Sequence, residues 1–350
     1  MKIAVTYSSK DGLLSEYKKR LGKTAPDADI PADFFAEGDS PATIQAIIDT
    51  FMEGGHQVMG VEADDRLLQT LEAERPDFVF NLAEGLWGDF RESYVPLVCE
   101  RLGLPYSGSD PLTLAICLNK ARTKEILGYH LIPTPGFRIF SPHHPVNLDG
   151  FEFPAIVKPA SEGSSKGIFN DSVVYSPAEA RRRIEEKIQQ YRQPVLLERF
   201  LTGQEFTVAL WGNGEEVEVL PIIAMDYSQL PVNSEPIYSY EAKWIWDTPE
   251  KPLEIFQCPA DISAELKENI EELVRDTYRV LQVRDWCRID VRLDEQEIPH
   301  VLELNPLPGI LPDPKDNSCF PKAARTAGYG YQDMLLKVLG IAAKRNGLSL

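Results

Sequence analysis

Two short stretches, Arg288-Ile289-Asp290-Val291 and Leu302-Glu303-Leu304-Asn305-Pro306, constrain this chain more than any other feature. Each reads as a strand, and the polar turn Asp294 to Glu297 lies between them. Side chains alternate faces along a strand with period two. Arg288, Asp290 and Arg292 therefore share one face of the first strand, and Glu303 and Asn305 share one face of the second. Leu302 and Leu304 are expected on the opposite, core-facing side. Paired as a hairpin, the strands bring Asp290, Glu303 and Asn305 together. Two carboxylates, an amide oxygen and an adjacent arginine suit Mg²⁺ bound with a polyphosphate. Mg²⁺ wants hard oxygen ligands and takes only a few from protein. Taken alone, the pattern equally suits an edge hairpin with a solvated acidic face.

A chain of 350 residues exceeds one ordinary core, so two or three domains are expected. No run approaches the ~20 apolar residues that span a membrane. The start, Met1-Lys2-Ile3-Ala4-Val5, enters a strand directly and has no signal-peptide pattern. The five cysteines are scattered, odd in number and without a CxxC pair. That predicts reduced thiols, a cytoplasmic location and no zinc site. A formal charge of -18 argues against nucleic acid or an anionic membrane as partner. Lys and Arg must then be concentrated locally wherever a phosphate binds.

Residues 2–7 read as a buried strand and residues 8–40 as a long polar excursion, a kind of segment that is often functional. A helix follows from about Pro41, with Ile44, Ile47, Ile48 and Phe51 on one face and Gly54-Gly55 at its end. Strands near 56–61 and 77–81 flank a helix near 65–75, which predicts a parallel sheet with helices on its faces. The loop after the third strand, Asn81-Leu82-Ala83-Glu84-Gly85, is a candidate site wall, since ligands of open α/β sheets bind at strand carboxyl ends. A helix near 91–102 and the turn at 105–109 close this unit. One helix is expected over about Pro111 to Leu127, then strands near 136–140 and 154–158 and a charged helix near 177–190. Strands dominate from Val195, at about 195–199, 204–211 and 216–223. The aperiodic, aromatic segment 225–257 suggests an ordered flap, and helices are expected near 261–282 and 331–344.

Lys158 ends an apolar strand ahead of Pro159 and the loop Ala160-Ser161-Glu162-Gly163-Ser164-Ser165-Lys166-Gly167. A lysine fixed on a strand, followed by small residues, lets backbone N–H groups and hydroxyls approach phosphate oxygens. The loop is neither a P-loop nor a dinucleotide turn. Alone it suits an ordinary surface turn, but the acidic hairpin downstream favours phosphate. Glu198-Arg199-Phe200-Leu201 could offer backbone groups and apolar walls to an adenine, and Glu205 could accept ribose hydroxyls. A hairpin turn with a solvated Glu fits that spacing as well.

These blocks, in this order, resemble the D-alanine–D-alanine ligases of the ATP-grasp superfamily. The resemblance rests on Pro105-Tyr106-Ser107-Gly108-Ser109, Asn119-Lys120 with Thr123-Lys124, Ile156-Val157-Lys158-Pro159, Glu162-Gly163-Ser164-Ser165 and Glu205-Phe206-Thr207-Val208. Tyr240-Glu241-Ala242-Lys243, Cys258-Pro259-Ala260, the Arg288 and Glu303 strands and Pro308-Gly309 continue it, over roughly residues 75–345. It implies an α/β (α+β overall) ATP-grasp fold: an N-terminal parallel α/β domain (1–107), a small central α+β lid (108–193) and a mainly antiparallel C-terminal domain with helices (194–350). It also implies an ADP-forming ligase that makes a peptide or amide bond through an acyl phosphate, using ATP and two Mg²⁺, with Mn²⁺ as a substitute. Donor and acceptor would be amino-acid-like small molecules, and a homodimer is left open.

Carried over residue by residue, Lys120 and Lys158 would hold ATP phosphates and the Ser164-Ser165 loop would close over them. Glu198, Arg199 and Leu201 would contact adenine, and Glu205 the ribose. Lys243 would reach the γ-phosphate and the acceptor. Asp290, Glu303 and Asn305 would bind metal, Arg288 and the Gly309 N–H would stabilise the oxyanion, and Ser318 would bind the acceptor carboxylate. Glu37 takes the place of the family glutamate that grips the donor amine. The family's histidine after the third strand is replaced by Glu84, and its flap tyrosine by Trp244. The departures cluster at the donor pocket, so the chemistry is expected to be kept and the donor changed. Two alternatives are genuine D-alanyl-D-alanine synthesis and a nucleotide-binding regulatory protein without turnover.

Overall fold

Strand β1 (Lys2–Tyr7) leads into helix α1 (Lys10–Leu21), which the expected excursion over 8–40 did not include. Its apolar face is narrow, carried by the buried Leu13 and Tyr17 one turn apart, so the 3.6-residue period is faint. The computed structural model describes residues 1–21, 33–142, 144–247 and 253–349. Helix α2 (Pro41–Glu53) starts as its sequence predicts, with Ser40 Oγ accepting from the Thr43 N–H at 3.1 Å and Pro41 at its first position. Strand β2 (Gln57–Glu62), helix α3 (Leu67–Glu74), strand β3 (Phe78–Asn81) and helix α4 (Tyr94–Leu102) complete the unit. Its sheet is parallel, in the order β2-β1-β3.

The single helix expected over 111–127 is two, α5 (Pro111–Leu118) and α6 (Lys120–Tyr129). Asn119 is extended between them, and its side chain accepts from the Arg122 N–H at 3.1 Å, which starts the second helix afresh. Strands β4 (Phe137–Phe140), β5 (Ala155–Pro159), β6 (Val173–Val174) and β7 (Val195–Arg199) form an antiparallel sheet in the order β4-β7-β5-β6. Helix α7 (Pro177–Tyr191) buries Ala180 and Ile184 against it. Because β7 pairs with both β4 and β5, this middle sheet extends past residue 193.

The last sheet contains β8 (Glu205–Gly212), β9 (Glu218–Val219), β10 (Ile223–Met225), β11 (Phe256–Gln257), β12 (Asp285–Leu293) and β13 (Pro299–Asn305). Its order is β11-β10-β8-β12-β13, with β9 paired to β8. The strand expected over 216–223 is split into β9 and β10, and Pro221 between them lacks an N–H for the ladder. Helix α8 (Ala264–Val280) covers one face of this sheet, where Val208 and Ile289 lie buried against Ile270 and Val274. Helices α9 (Cys319–Thr326) and α10 (Tyr331–Arg345) lie on the other. There Trp286 and Phe320 share a core with Ile3 and Phe80, so the first and last sheets are packed together. The middle sheet has its own core around Val157, Leu197 and Ile184. Among the described residues no helix is long and apolar enough to cross a membrane.

One register detail matters for the site. Asp290 pairs with Glu303, but Val291 pairs with Val301, so Leu302 is an extra residue in a β-bulge. The bulge turns Leu302 out of the core expected for it and onto the wall of the cleft. Leu304, beyond the bulge, is buried as the alternation predicts.

Candidate active site

The middle and last sheets face each other across a cavity of about 270 Å³. A second cavity of about 70 Å³ shares the walls Glu84, Ser164, Lys243, Arg288 and Gly309 with it. Lys158, Ser165, Glu198, Arg199, Leu201, Glu205, Asp290, Glu303, Glu37, Trp244 and Ser318 line the first, and Lys120 and Asn305 the second. Every residue singled out in the sequence therefore lies at one cleft.

The floor is the β12–β13 hairpin. Asp290 and Glu303 are direct cross-strand partners, as are Arg288 and Asn305. Asp290 accepts from Thr207 Oγ1 at 2.6 Å, Arg288 Nη2 at 2.9 Å and Asn305 Nδ2 at 3.3 Å. Glu303 pairs with Lys120 at 3.1 Å. Burial would push the Glu303 carboxyl up, but Lys120, Lys158 and Arg288 together hold it at about 2. This donor set fits a divalent cation: two carboxylates and an amide on one face, with cations beside them for phosphates.

Beside the floor lies a triad absent from the sequence reading. Glu198 pairs with Lys158 at 2.8 Å and with Lys124 at 2.6 Å, all three buried. Burial lowers the Lys124 ammonium to about 8 despite Glu198. Lys124 follows Lys120 by one helical turn, a spacing that signals a shared face. Arg199 lines the cleft, yet its guanidinium pairs with Glu295 at 2.7 Å and so leaves the expected adenine contact to the rest of the residue. Glu205 is held by Arg292 at 2.9 Å, and that guanidinium lies over the Phe200 ring.

The roof is the loop 160–168 together with the flap. Ser164 and Ser165 have φ of 50° and 60°, a left-handed conformation that L residues adopt at some cost. The flap holds them there. Ser165 Oγ donates to Tyr238 O at 2.8 Å, Trp244 Nε1 donates to Ser164 O at 3.3 Å, and Tyr240 N donates to Ile168 O at 2.7 Å. The indole thus ties down the serine loop without the hydroxyl that a tyrosine would supply. Lys10 and Lys243 both lie over its ring, at 5.6 and 5.3 Å. Burial, then repulsion from Arg288, lowers the Lys243 ammonium.

At the far end, Glu37 accepts from Arg91 at 2.7 Å and from the Gly163 N–H at 2.9 Å. Burial opposes its charge, but Arg91 and Lys166 keep the carboxyl below the usual range. Asp33 accepts from the Gly167 N–H at 2.7 Å, so two acids of the N-terminal excursion hold both ends of the serine loop. Ser318 Oγ donates to Gly309 O at 3.0 Å and accepts from Leu311 N at 3.1 Å, which shapes the loop carrying Gly309. The Gly309 N–H has no acceptor among the described residues. With Arg288 it forms a donor pair able to receive a developing negative oxygen.

Comparison with known proteins adds the family. A family model described as "D-ala D-ala ligase C-terminus" matches residues 144–340. A D-alanine–D-alanine ligase of Hydrogenovibrio crunogenus is 31% identical, with 77% of this chain and 79% of that protein covered. An uncharacterised protein of Sinorhizobium fredii is 34% identical over 86% and 87% of the two chains. A solved D-alanine–D-alanine ligase of Bacillus anthracis superposes with a TM-score of 0.71 at 25% identity, covering 99% of each chain. A Bacillus anthracis D-alanine–D-alanine ligase solved with ATP gives 0.70 at 22% identity, again covering 99% of each chain.

Proposed function

The chain belongs to the D-alanine–D-alanine ligase family, and from that premise we propose a ligase whose carboxylate donor is an amino acid other than alanine. It is an ATP-dependent, ADP-forming enzyme that makes an amide bond. In this reading ATP phosphorylates the donor carboxylate, and the acceptor amine then displaces phosphate. Lys120, Lys158 and Lys243 neutralise the phosphates in place of water. Arg288 and the Gly309 N–H receive the oxyanion of the tetrahedral adduct, and Ser318 keeps the Gly309 loop in position. Ser164, Ser165 and Trp244 close the roof and exclude water from the acyl phosphate. Glu198, Arg199, Leu201 and Glu205 frame the nucleoside. Asp290, Glu303 and Asn305 would hold Mg²⁺, which supplies charge neutralisation to the phosphoryl group when bound. A cytoplasmic location fits the five unpaired cysteines.

The observation that carries this reading is the cross-strand pair Asp290–Glu303 set beside Lys120 and Arg288 on the floor of the cleft. Its departure from alanine rests on Glu84 and Trp244 in the donor wall. The test is phosphate release with ATP and Mg²⁺ across an array of D- and L-amino acids. Turnover with a non-alanine donor supports the proposal. Release with D-alanine alone would return the chain to D-alanyl-D-alanine synthesis, and no release with any amino acid would overturn the site roles.

A further inference from the structure

The smaller cavity carries three cations and three carboxylates on its wall, and they are not paired with one another. Of the cations, Lys120 pairs with Glu303 at 3.1 Å and Arg288 with Asp290 at 2.9 Å, while Lys243, committed to phosphate in the ligase reading, makes no ion pair among the described residues. Of its carboxylates, Glu162 pairs with Lys166 at 2.9 Å. The carboxylates of Glu84 and Glu92 make no hydrogen bond or ion pair among the described residues. Glu92 is nevertheless only 8% exposed. It sits in the turn Arg91–Ser93, and Glu84 sits on the loop after β3. Arg91, the nearest cation in sequence, directs one arm to Glu37 and the other to Ser161 O, leaving both acids unpaired. Neither carboxylate is sealed inside packed protein: both open onto the cavity, where no protein donor meets them.

We propose that Glu84 and Glu92 form a subsite for a cationic group on the donor. The donor is then an amino acid whose short side chain ends in an amine. The proposal rests on the ligase reading above and names its substrate class. Several features favour an ammonium. It offers three N–H donors, enough to satisfy two carboxylates at once. A cavity of about 70 Å³ has room for several water-sized groups, more than a bare ion fills. The cations nearby are needed for phosphates once ATP is bound, so their charge is not available to the two acids. Burial first, and then neighbouring acids, raise both carboxyls against the pull of Arg91, Glu92 to about 7, and an ammonium bound between them would draw both back toward the charged form.

The test is calorimetry on the full chain with Mg²⁺ and a non-hydrolysable ATP analogue. The probes are 2,4-diaminobutyrate and 2-aminobutyrate, each as both enantiomers. The diamino acid is expected to bind at least tenfold more tightly. Glu84→Gln and Glu92→Gln, both near-isosteric, are each expected to remove that preference. Equal binding of the two probes to the wild type would overturn the subsite, as would a preference that survives both substitutions. Phosphate release with ATP separates the two readings. A diamino-acid preference without ADP formation would refute the ligase and leave the subsite standing. Turnover of uncharged donors with no such preference would do the reverse.

Discussion

Replacing Glu198 by Gln isolates the triad under the nucleotide cleft. Glu198 is 2% exposed, and Lys124 and Lys158 contact its two oxygens at 2.6 and 2.8 Å. Removing one partner of a buried ion pair costs about 3–5 kcal/mol, because the other charge stays buried without compensation. The amide keeps the shape and can accept one hydrogen bond, which favours the lower end, about 3 kcal/mol. Lys124 already lies at about 8, so without the carboxylate it sheds its proton near neutral pH. The deficit is therefore largest in mild acid and shrinks as pH rises toward 9. In the wild type the sign at low pH is fixed by Glu198, which its lysines hold below the ordinary 4.5 against the pull of burial. In the window below 4.5 the unfolded chain binds more protons. Stability is full above that window and drains as pH falls through it. Denaturant titrations of both proteins from about pH 2 to 9 read all of this. A variant as stable as wild type at pH 6, or a deficit that grows with pH, would refute an ionised triad.

Three further outcomes follow from the same geometry. Glu303→Ala is expected to lower kcat by at least ~100-fold while the melt survives, since the hairpin core on the far face is untouched; an unchanged rate at saturating Mg²⁺ would remove the metal assignment. The flap should be cut by protease in the free protein and protected by an ATP analogue with Mg²⁺, and equal cleavage in both states would mean it is no lid. Asp39 is raised to about 7 by burial from the ordinary 3.8, so the folded chain keeps a proton that the unfolded chain releases. Its contribution is full below pH 3.8 and is lost as pH rises to about 7; Asp39→Asn should flatten that slope, and an identical pH profile would contradict it.

Much of the site was legible because strands report their faces locally. Asp290, Glu303 and Asn305 needed only period two and a short turn to converge. Leu302 was misplaced because a bulge depends on pairing with a partner strand, which periodicity along one strand does not contain. Helix α1 was hidden by its thin apolar face, and the break at Asn119 by apolar residues continuing on both sides. The membership of β7 in the middle sheet is set by long-range pairing with β4 and β5. Lys124 and Glu92 were missed for another reason. Each is one charged residue on a helix or turn, and only the fold shows which of them end up buried beside the cleft.

The grip of Asp33 and Glu37 on the two ends of the serine loop joins two events that a flat list of contacts keeps apart. In the proposed ligase Glu37 would belong at once to the donor wall and, through its bond to the Gly163 N–H, to the roof over the nucleotide. Opening the roof to admit ATP must loosen the Gly163 contact, and so disturb the donor wall. Filling the donor wall must, by the same bond, favour a closed roof. Thermodynamic linkage makes this mutual: whatever factor ATP adds to donor affinity, the donor returns to ATP. In the proposed ligase, the N-terminal excursion would thereby make occupancy of one compartment a condition sensed by the other, and so spare ATP from hydrolysis before a donor has arrived.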